Sequence, residues 1–493
     1  MDTKQLAFAP ISEQSVMIQE KRISPVELVD AYLQRIDELD GPLASHITVA
    51  SEEARRDARI AADEIASGAW RGPLHGIPYG VKDQMRTAGL PTTLAFRPLA
   101  DNVTSDDATV VRRLAENGAI LVGKHNLDQF GKGGTVDWDF GRARNPWDLD
   151  HTPMGSSAGS GSAVAAGFSS FSLGEDTGGS IRNPAAANGI VGIRPTFGLV
   201  SRAGGYMHSW TNDTIGPLAR STRDVALVLR AIAGRDIDDL LTSDRPVPDY
   251  VGALSGDIRG LRVGIVENLL HDEAIDAEVQ DLTDDAIDVL RALGAETSST
   301  ELHLAKHAVP LQMLTCDADV GSVMMSSWMR TNYADIDFGI RTRLAAGCLV
   351  PAVLYSKAMR GRAAVREEVL AQFSQFDVLV CPTIRSPAAK IDSIPRRAST
   401  LEEVLESVVA RRKNAYPFSV ANTPALSVPM GFTRAGLPVG LQIVGRPFDE
   451  STVLRVGDAY ERATNWTSHH PDVEGNVRDF ISRTAAAQKG APS

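Results

Sequence analysis

Two stretches of this chain set serines among glycines. In such a setting a hydroxyl is exposed and the backbone can come close to a ligand. Residues 155–162 read Gly-Ser-Ser-Ala-Gly-Ser-Gly-Ser, and residues 174–182 read Gly-Glu-Asp-Thr-Gly-Gly-Ser-Ile-Arg. The chemistry they suggest is attack by a serine oxygen, with consecutive N–H groups converging on the oxyanion that forms. A serine hydroxyl is a weak nucleophile and needs a base. No histidine lies in either stretch, while Lys82 ends the short apolar run Ile77-Pro-Tyr-Gly-Val81. Taken alone, either stretch also reads as a Gly/Ser-rich turn.

Three other patterns carry less. Gly155-Ser156-Ser157-Ala158-Gly159 matches G-x-S-x-G, which would make Ser157 the nucleophile of an α/β-hydrolase-like esterase. That elbow needs a strand directly before it, and residues 144–154 are polar and broken by proline. Gly118 to Lys124 has P-loop spacing, but His125 stands where magnesium needs Ser or Thr, and the interior is an apolar strand. His303 and His307 are spaced i, i+4 with Leu304 in place of a zincin glutamate, so they read as a solvated or packed pair.

Elements must position these residues. Ser24-Pro25-Val26-Glu27 predicts a helix start, with Ser24 as N-cap and Glu27 closing a capping box. Val29, Tyr32, Leu33 and Ile36 follow at helical spacing, and a second helical stretch runs from Glu52 to Ser67. Residues 10–70 therefore read as helical. Beyond Gly72, strand-like runs (119–122, 171–173, 261–266, 377–380, 425–428, 440–444) alternate with helical ones (108–117, 223–232, 279–293, 358–373). That alternation predicts an α/β fold around a mixed sheet.

Bulk properties exclude several classes. The net charge of −12, with no Lys/Arg cluster, lacks the footprint for nucleic acid or anionic membrane. The cysteines, Cys316, Cys348 and Cys381, form no CxxC, which excludes a zinc ribbon and a disulfide framework. No leader-like N-terminus and no membrane-length apolar run is present. A cytoplasmic location is expected.

Longer matches then join the pieces. Gly76-Ile-Pro-Tyr-Gly-Val-Lys82-Asp83, Asn145-Pro-Trp147 with Gly155-Ser156-Ser157, and Asp176-Thr-Gly-Gly-Ser180-Ile-Arg182 occur in that order. Asp213-Thr-Ile-Gly-Pro-Leu-Ala-Arg220 and Gly436-Leu-Pro-Val-Gly-Leu-Gln442 flank them. Over about residues 10–465 the chain resembles the amidase signature family. The resemblance implies a single large α/β domain with a mixed, mostly parallel central sheet flanked by helices. It implies an N-terminal helical segment (1–70) packed on a catalytic domain (71–482), with a variable helical insertion at about 300–360. Residues 483–493 are expected to be a disordered tail.

The resemblance also assigns roles. Lys82 is the base, Ser156 the relaying serine that follows a cis peptide bond, and Ser180 the nucleophile that becomes acylated. The backbone of Thr177, Gly178, Gly179 and Ser180 would form the oxyanion hole, and Gly131, Ser156 and Ser157 would touch substrate. Asp176 and Arg182 would support the site. No metal or cofactor is implied. The pocket is expected from residues 129–140 and 300–360, where Met313, Met324, Met325, Trp328 and Tyr333 suit an apolar acyl group or are ordinary core.

The chain departs from the family in places. Met154 and Ala158 replace two common glycines, Gln129 a common glutamate and His125 a threonine. Arg182-Asn183-Pro184 and Ala187-Asn188-Gly189 replace the R-Q-P and F-C-G usual in the glutamine-dependent amidotransferase subunit. The expectation is therefore a free-standing amidase for small or aryl amides or hydrazides. It would act on a small-molecule substrate, with no nucleic acid, no membrane span and at most a second copy as partner. The alternatives are a Ser157 esterase, a non-catalytic binding protein and an amidotransferase-type subunit.

Overall fold

Ser24 opens the helix Pro25–Leu43 as its sequence predicts. Its Oγ accepts from the Glu27 N–H at 3.1 Å, and the Glu27 carboxylate accepts from the Ser24 N–H at 2.8 Å. A computed structural model of the chain describes residues 3–490, apart from 134–137, 273, 325–330, 395–399, 401, 402 and 404–411. The side chains of 323, 324 and 487–490 are likewise outside the description.

Among the described residues, eleven strands form one sheet. They are β1 (His46–Val49), β2 (Pro78–Lys82), β3 (Ile120–His125), β4 (Phe171–Asp176), β5 (Val191–Arg194) and β6 (Thr214–Ala219). β7 (Arg262–Val266), β8 (Glu296–Thr300), β9 (Val378–Pro382), β10 (Ala425–Phe432) and β11 (Pro438–Gly445) complete it. The order across the sheet is β1-β3-β2-β4-β6-β5-β10-β11-β9-β7-β8. Helices flank this single mixed sheet, as expected.

The expected bias toward parallel pairing is corrected. Only β2 with β3 and β4, and β7 with β8 and β9, pair in parallel. The other six neighbouring pairs are antiparallel. Connection length is one cause: the turn 433–437 between β10 and β11 is too short for the crossover that parallel strands require.

The helical reading of 10–70 also needs correction at 46–49. Leu43 ends its helix and Ala44 turns into the left-handed region. β1 then pairs antiparallel with β3 at the edge of the sheet before the helix Ser51–Ala66 begins. At the other end of the chain, the helix Val473–Gly490 continues through 483–490, where disorder is expected from composition. Among the described residues, no single helix is long and apolar enough to cross a membrane.

Strands β2 and β4 lie side by side, and every residue of both is buried. Tyr79 and Phe171 stack beneath them, with ring centroids 5.1 Å apart. Because the strands are parallel, Lys82 at the end of β2 and Glu175 and Asp176 at the end of β4 emerge at the same edge. The antiparallel β6 pairs Thr214 with Asp176, which brings Asp213 to that edge too. Ligands in α/β sheets gather at such carboxyl ends.

Gly159 marks a close approach. A Cβ there would run into the Ser45 carbonyl oxygen and the Asn126 backbone. Both are main chain, so neither can swing aside. Gly159→Ala is expected to cost about 1–3 kcal/mol by overpacking and to displace the helix Ala158–Ala165 that follows Ser156. Thermal melts would show the loss of stability, and activity should fall with it.

Candidate active site

Lys82 has no solvent exposure. Its Nζ lies 2.8 Å from Ser156 Oγ, 3.0 Å from Glu175 Oε2 and 3.3 Å from the Glu175 carbonyl oxygen. The Gly155–Ser156 peptide bond is cis. Gly155 has no room for a side chain, because a Cβ there would strike the Asp128 carboxylate. Ser180 stands just ahead of the helix Arg182–Asn188, as Ser156 stands ahead of Ala158–Ala165. Ser156 and Ser180 line one cavity. Their hydroxyls are not hydrogen-bonded to each other. The Ser157 N–H instead donates to the Ser180 carbonyl at 3.3 Å, tying the two loops together.

Ser157 does not take the role expected of it. It is fully buried, its Oγ donates to the Glu175 carbonyl at 3.3 Å, and it is not part of the cavity wall. A loop precedes it rather than a strand, so the nucleophile elbow is absent and the esterase alternative loses its geometry.

Asp176 organises the turn that carries Ser180. Its carboxylate accepts the Gly179 N–H at 2.7 Å and the Ile181 N–H at 3.2 Å. It also accepts Arg182 Nε and Nη2, both at 3.0 Å. Arg182 in turn reaches Gln442 Oε1 at 2.6 Å and Ser419 Oγ at 2.7 Å. The Gly179 N–H is thus spent on structure, which corrects its place in the oxyanion hole. Gly178 and Ser180, with Thr177, remain on the cavity wall. Gly178 has no room for a side chain, since the Tyr416 ring packs against it.

The cavity measures about 450 Å³. Gly131, Lys132, Gly133 and Trp138 reach it from the expected segment 129–140, while Cys316 and Arg343 come from 300–360. Residues 134–137, Met325 and Trp328 lie outside the described residues, as does the Met324 side chain. Met313 and Tyr333 pack in apolar clusters instead. Gln129 accepts from the Asp337 N–H at 2.8 Å and so anchors the helix Phe338–Cys348 that bears Arg343. His125 is buried in the sheet against Ser172.

Sequence reasoning missed Asp128, Arg142, His208, Arg385, Arg412 and Tyr416 on this wall. It also missed Glu175 and Asp213 behind Lys82. The one local signal was acidic residues closing an otherwise uncharged strand. Charge is prominent here. Burial pushes the Asp128 carboxyl up to about 6, against the pull of Lys82. Arg343 is held by Asp317 at 2.9 Å, and Lys132 pairs with the same carboxylate. His208 is driven well below the usual histidine range by burial and by the Lys132, Lys82 and Arg343 charges, so it is neutral.

Asp176 offers a test. Burial alone would raise its pKa, but the Arg182 and Arg194 guanidiniums outweigh burial and hold it far below the usual carboxylate range. A depressed native pKa stabilises the fold above the unfolded value, and that contribution is lost as pH falls below it. Asp176→Asn leaves buried guanidiniums without their counter-charge and should cost about 3–5 kcal/mol at neutral pH. In thermal melts the gap between wild type and variant should narrow below about pH 4, the range of an unfolded aspartate.

Comparison with known proteins finds matches along most of the chain. The Amidase family model matches residues 27–454. The chain is 40% identical over 474 residues to the A subunit of the glutamyl-tRNA(Gln) amidotransferase of Roseiflexus sp. strain RS-1, covering 92% of this chain and 95% of that one. The crystal structure of the corresponding A subunit from Thermotoga maritima superposes with a TM-score of 0.78 at 31% identity, over 93% of this chain and 95% of that one. The peptide amidase of Stenotrophomonas maltophilia gives 0.80 at 31%, over 93% and 97%. One expectation is overturned. A small molecule as sole substrate, with no nucleic acid and no partner beyond a second copy, does not fit relatives that are subunits of a glutamyl-tRNA(Gln) amidotransferase. The match runs through every segment that carries Lys82, Ser156 and Ser180, and with it the chain belongs to the amidase signature family, whose enzymes act on carbon–nitrogen bonds.

Proposed function

We propose that this protein is an amidotransferase-type amidase. It takes the acyl group of a primary carboxamide onto Ser180, with glutamine the type case, and releases ammonia to partner chains. The observation that carries the chemistry is the 2.8 Å contact between Lys82 Nζ and Ser156 Oγ, beside the cavity that Ser180 lines.

Ser180 Oγ attacks the carboxamide carbon, and its proton passes through Ser156 to neutral Lys82. Rotation of the Ser180 hydroxyl toward Ser156 completes the relay once substrate is seated; such contacts often tighten only in the complex. The N–H groups of Gly178 and Ser180 meet the oxyanion, each donor being worth about 2.7–4 kcal/mol. Ammonia leaves with the proton returned by Lys82 through Ser156. Water then cleaves the acyl ester by the same route.

The cavity charges support an amino-acid amide. Lys132 and Arg343 share the single carboxylate of Asp317, which leaves positive charge on the wall for a substrate carboxylate, and the Asp128 carboxyl beside Ser156 suits an ammonium. The likeness to amidotransferase subunits supports delivery of ammonia to partner chains.

One observation favours a second reading, in which another linear amide or hydrazide is cleaved to the free acid. Asn183 lines the cavity at the position where amidotransferase subunits usually carry glutamine.

Ammonia release from glutamine by the purified chain checks the first reading. Ser180→Ala and Lys82→Ala should each lower that rate by at least about 10⁴-fold. A fluorophosphonate should label wild type and spare Ser180→Ala. If aryl amides or hydrazides turn over while glutamine does not, the second reading replaces the first. Retained amide hydrolysis in Ser180→Ala would remove the nucleophile assignment.

A further inference from the structure

Behind Lys82 lies a run of buried groups that the relay itself does not use. Glu175 Oε2 is 3.0 Å from Lys82 Nζ. Its other oxygen, Oε1, is 2.7 Å from Thr177 Oγ1, and Thr177 Oγ1 is also 2.7 Å from Asp213 Oδ1. Asp213 Oδ2 accepts the backbone N–H groups of His208 and Ser209. Glu175 and Asp213 are fully buried, and Asp213 forms no ion pair among the described residues.

The protons in this run can be counted. A threonine hydroxyl has one hydrogen and cannot donate to two carboxylates at once. With both carboxylates ionised, one 2.7 Å contact would set lone pair against lone pair. The arrangement closes only if one carboxyl is protonated. One proton shared within the Glu175–Asp213 pair meets the count; Asp213 Oδ2 already takes two N–H donors, so when Asp213 holds the proton it sits on Oδ1 and goes to Thr177, which donates to Glu175. Burial and the Glu175 charge push the Asp213 carboxyl up to about 7, in keeping with this count.

Lys82 has a matching constraint. A neutral amine has two N–H groups and one lone pair. Glu175 presents two acceptors, its carbonyl and Oε2. When both N–H groups go to Glu175, the lone pair faces Ser156 Oγ. We propose that Glu175, Thr177 and Asp213 form a proton-holding array that aims the Lys82 amine at Ser156 and sets the pH at which the site becomes active. The proposal rests on the roles given above to Lys82, Ser156 and Ser180. Glu175 and Asp213 are positioning residues, since they touch no reacting atom.

The other charged groups nearby are already committed. On β4, Asp176 is matched by Arg182 and by Arg194 from β5. His208, in the loop before β6, is neutral. Asp128 and Lys132 follow β3; Asp128 acts on Lys82 only by its charge, and Lys132 is paired with Asp317. The Cys316 thiol, on the helix Ala305–Met324, is pushed up to about 12 by burial. This leaves Glu175 and Asp213 as the pair whose shared proton answers to pH.

A carboxylate beside an amine favours the ammonium, which cannot act as a base. Glu175→Gln should therefore move the acidic limb of the Ser180 labelling rate, read with a fluorophosphonate from about pH 5 to 10, to lower pH. Labelling needs no knowledge of the natural substrate. An unmoved limb overturns the proposal. If circular dichroism shows that Glu175→Gln fails to fold, Asp213→Asn decides. The wild-type profile should carry an inflection at about pH 7 from the Glu175–Asp213 pair, and Asp213→Asn should remove it. Superimposed profiles overturn the proposal. Labelling of Ser180→Ala would strike at the catalytic reading instead, so the two failures are distinguishable.

Discussion

The site depends on one buried nitrogen. Lys82 Nζ sits at the end of a fully buried central strand and must find partners within the protein, because an unpartnered buried charge or donor is costly. It finds them in Ser156 and Glu175. Ser156 reaches it only because the loop after Gly155 is tightly folded against Asp128 and the helix that follows packs main chain to main chain through Gly159. Glu175 reaches it only because β2 and β4 run parallel as neighbours. The sheet order, the small-residue loop and the lysine therefore constrain one another.

A second carboxylate divides the backbone between architecture and chemistry. Asp176 is satisfied by two guanidiniums and two N–H groups from the turn it begins. Each N–H it takes is turned away from the cavity. The alternation leaves Gly178 and Ser180 on the cavity side and places Gly179 and Ile181 on the buried side. The same turn thus holds its own shape and presents donors outward. Such preorganisation is what makes electrostatic stabilisation effective in a water-poor site.

The cavity itself is assembled from distant parts. Arg343 arrives on a helix pinned by Gln129, Tyr416 packs on Gly178, and Arg385 follows β9. Polar anchors among apolar walls are the usual composition of a small-molecule site. Here the anchors are mostly cationic, with Asp128 the buried exception close to Ser156. Lys132 and Arg343 share Asp317, which fixes them without neutralising the wall.

Much of this was legible in the residues. Ser24 and Glu27 announced a helix start, strand-length apolar runs announced β4, β7, β9, β10 and β11, and the ordered motifs pointed to Lys82, Ser156 and Ser180. Short strands escaped notice: β1 sits between two strong helices, and β8, Glu-Thr-Ser-Ser-Thr, is polar because it lies at the edge of the sheet. The sequence by itself determined which residue types were available and in what order, since turns, caps and periodicity are local. Only the tertiary structure decided that Ser157 turns inward, that Gly179 serves Asp176, and that Glu175 and Asp213 meet across Thr177 behind Lys82. Those outcomes depend on strand order and on hydrogen bonds between segments far apart in the chain. No local pattern records which partner a buried donor will find.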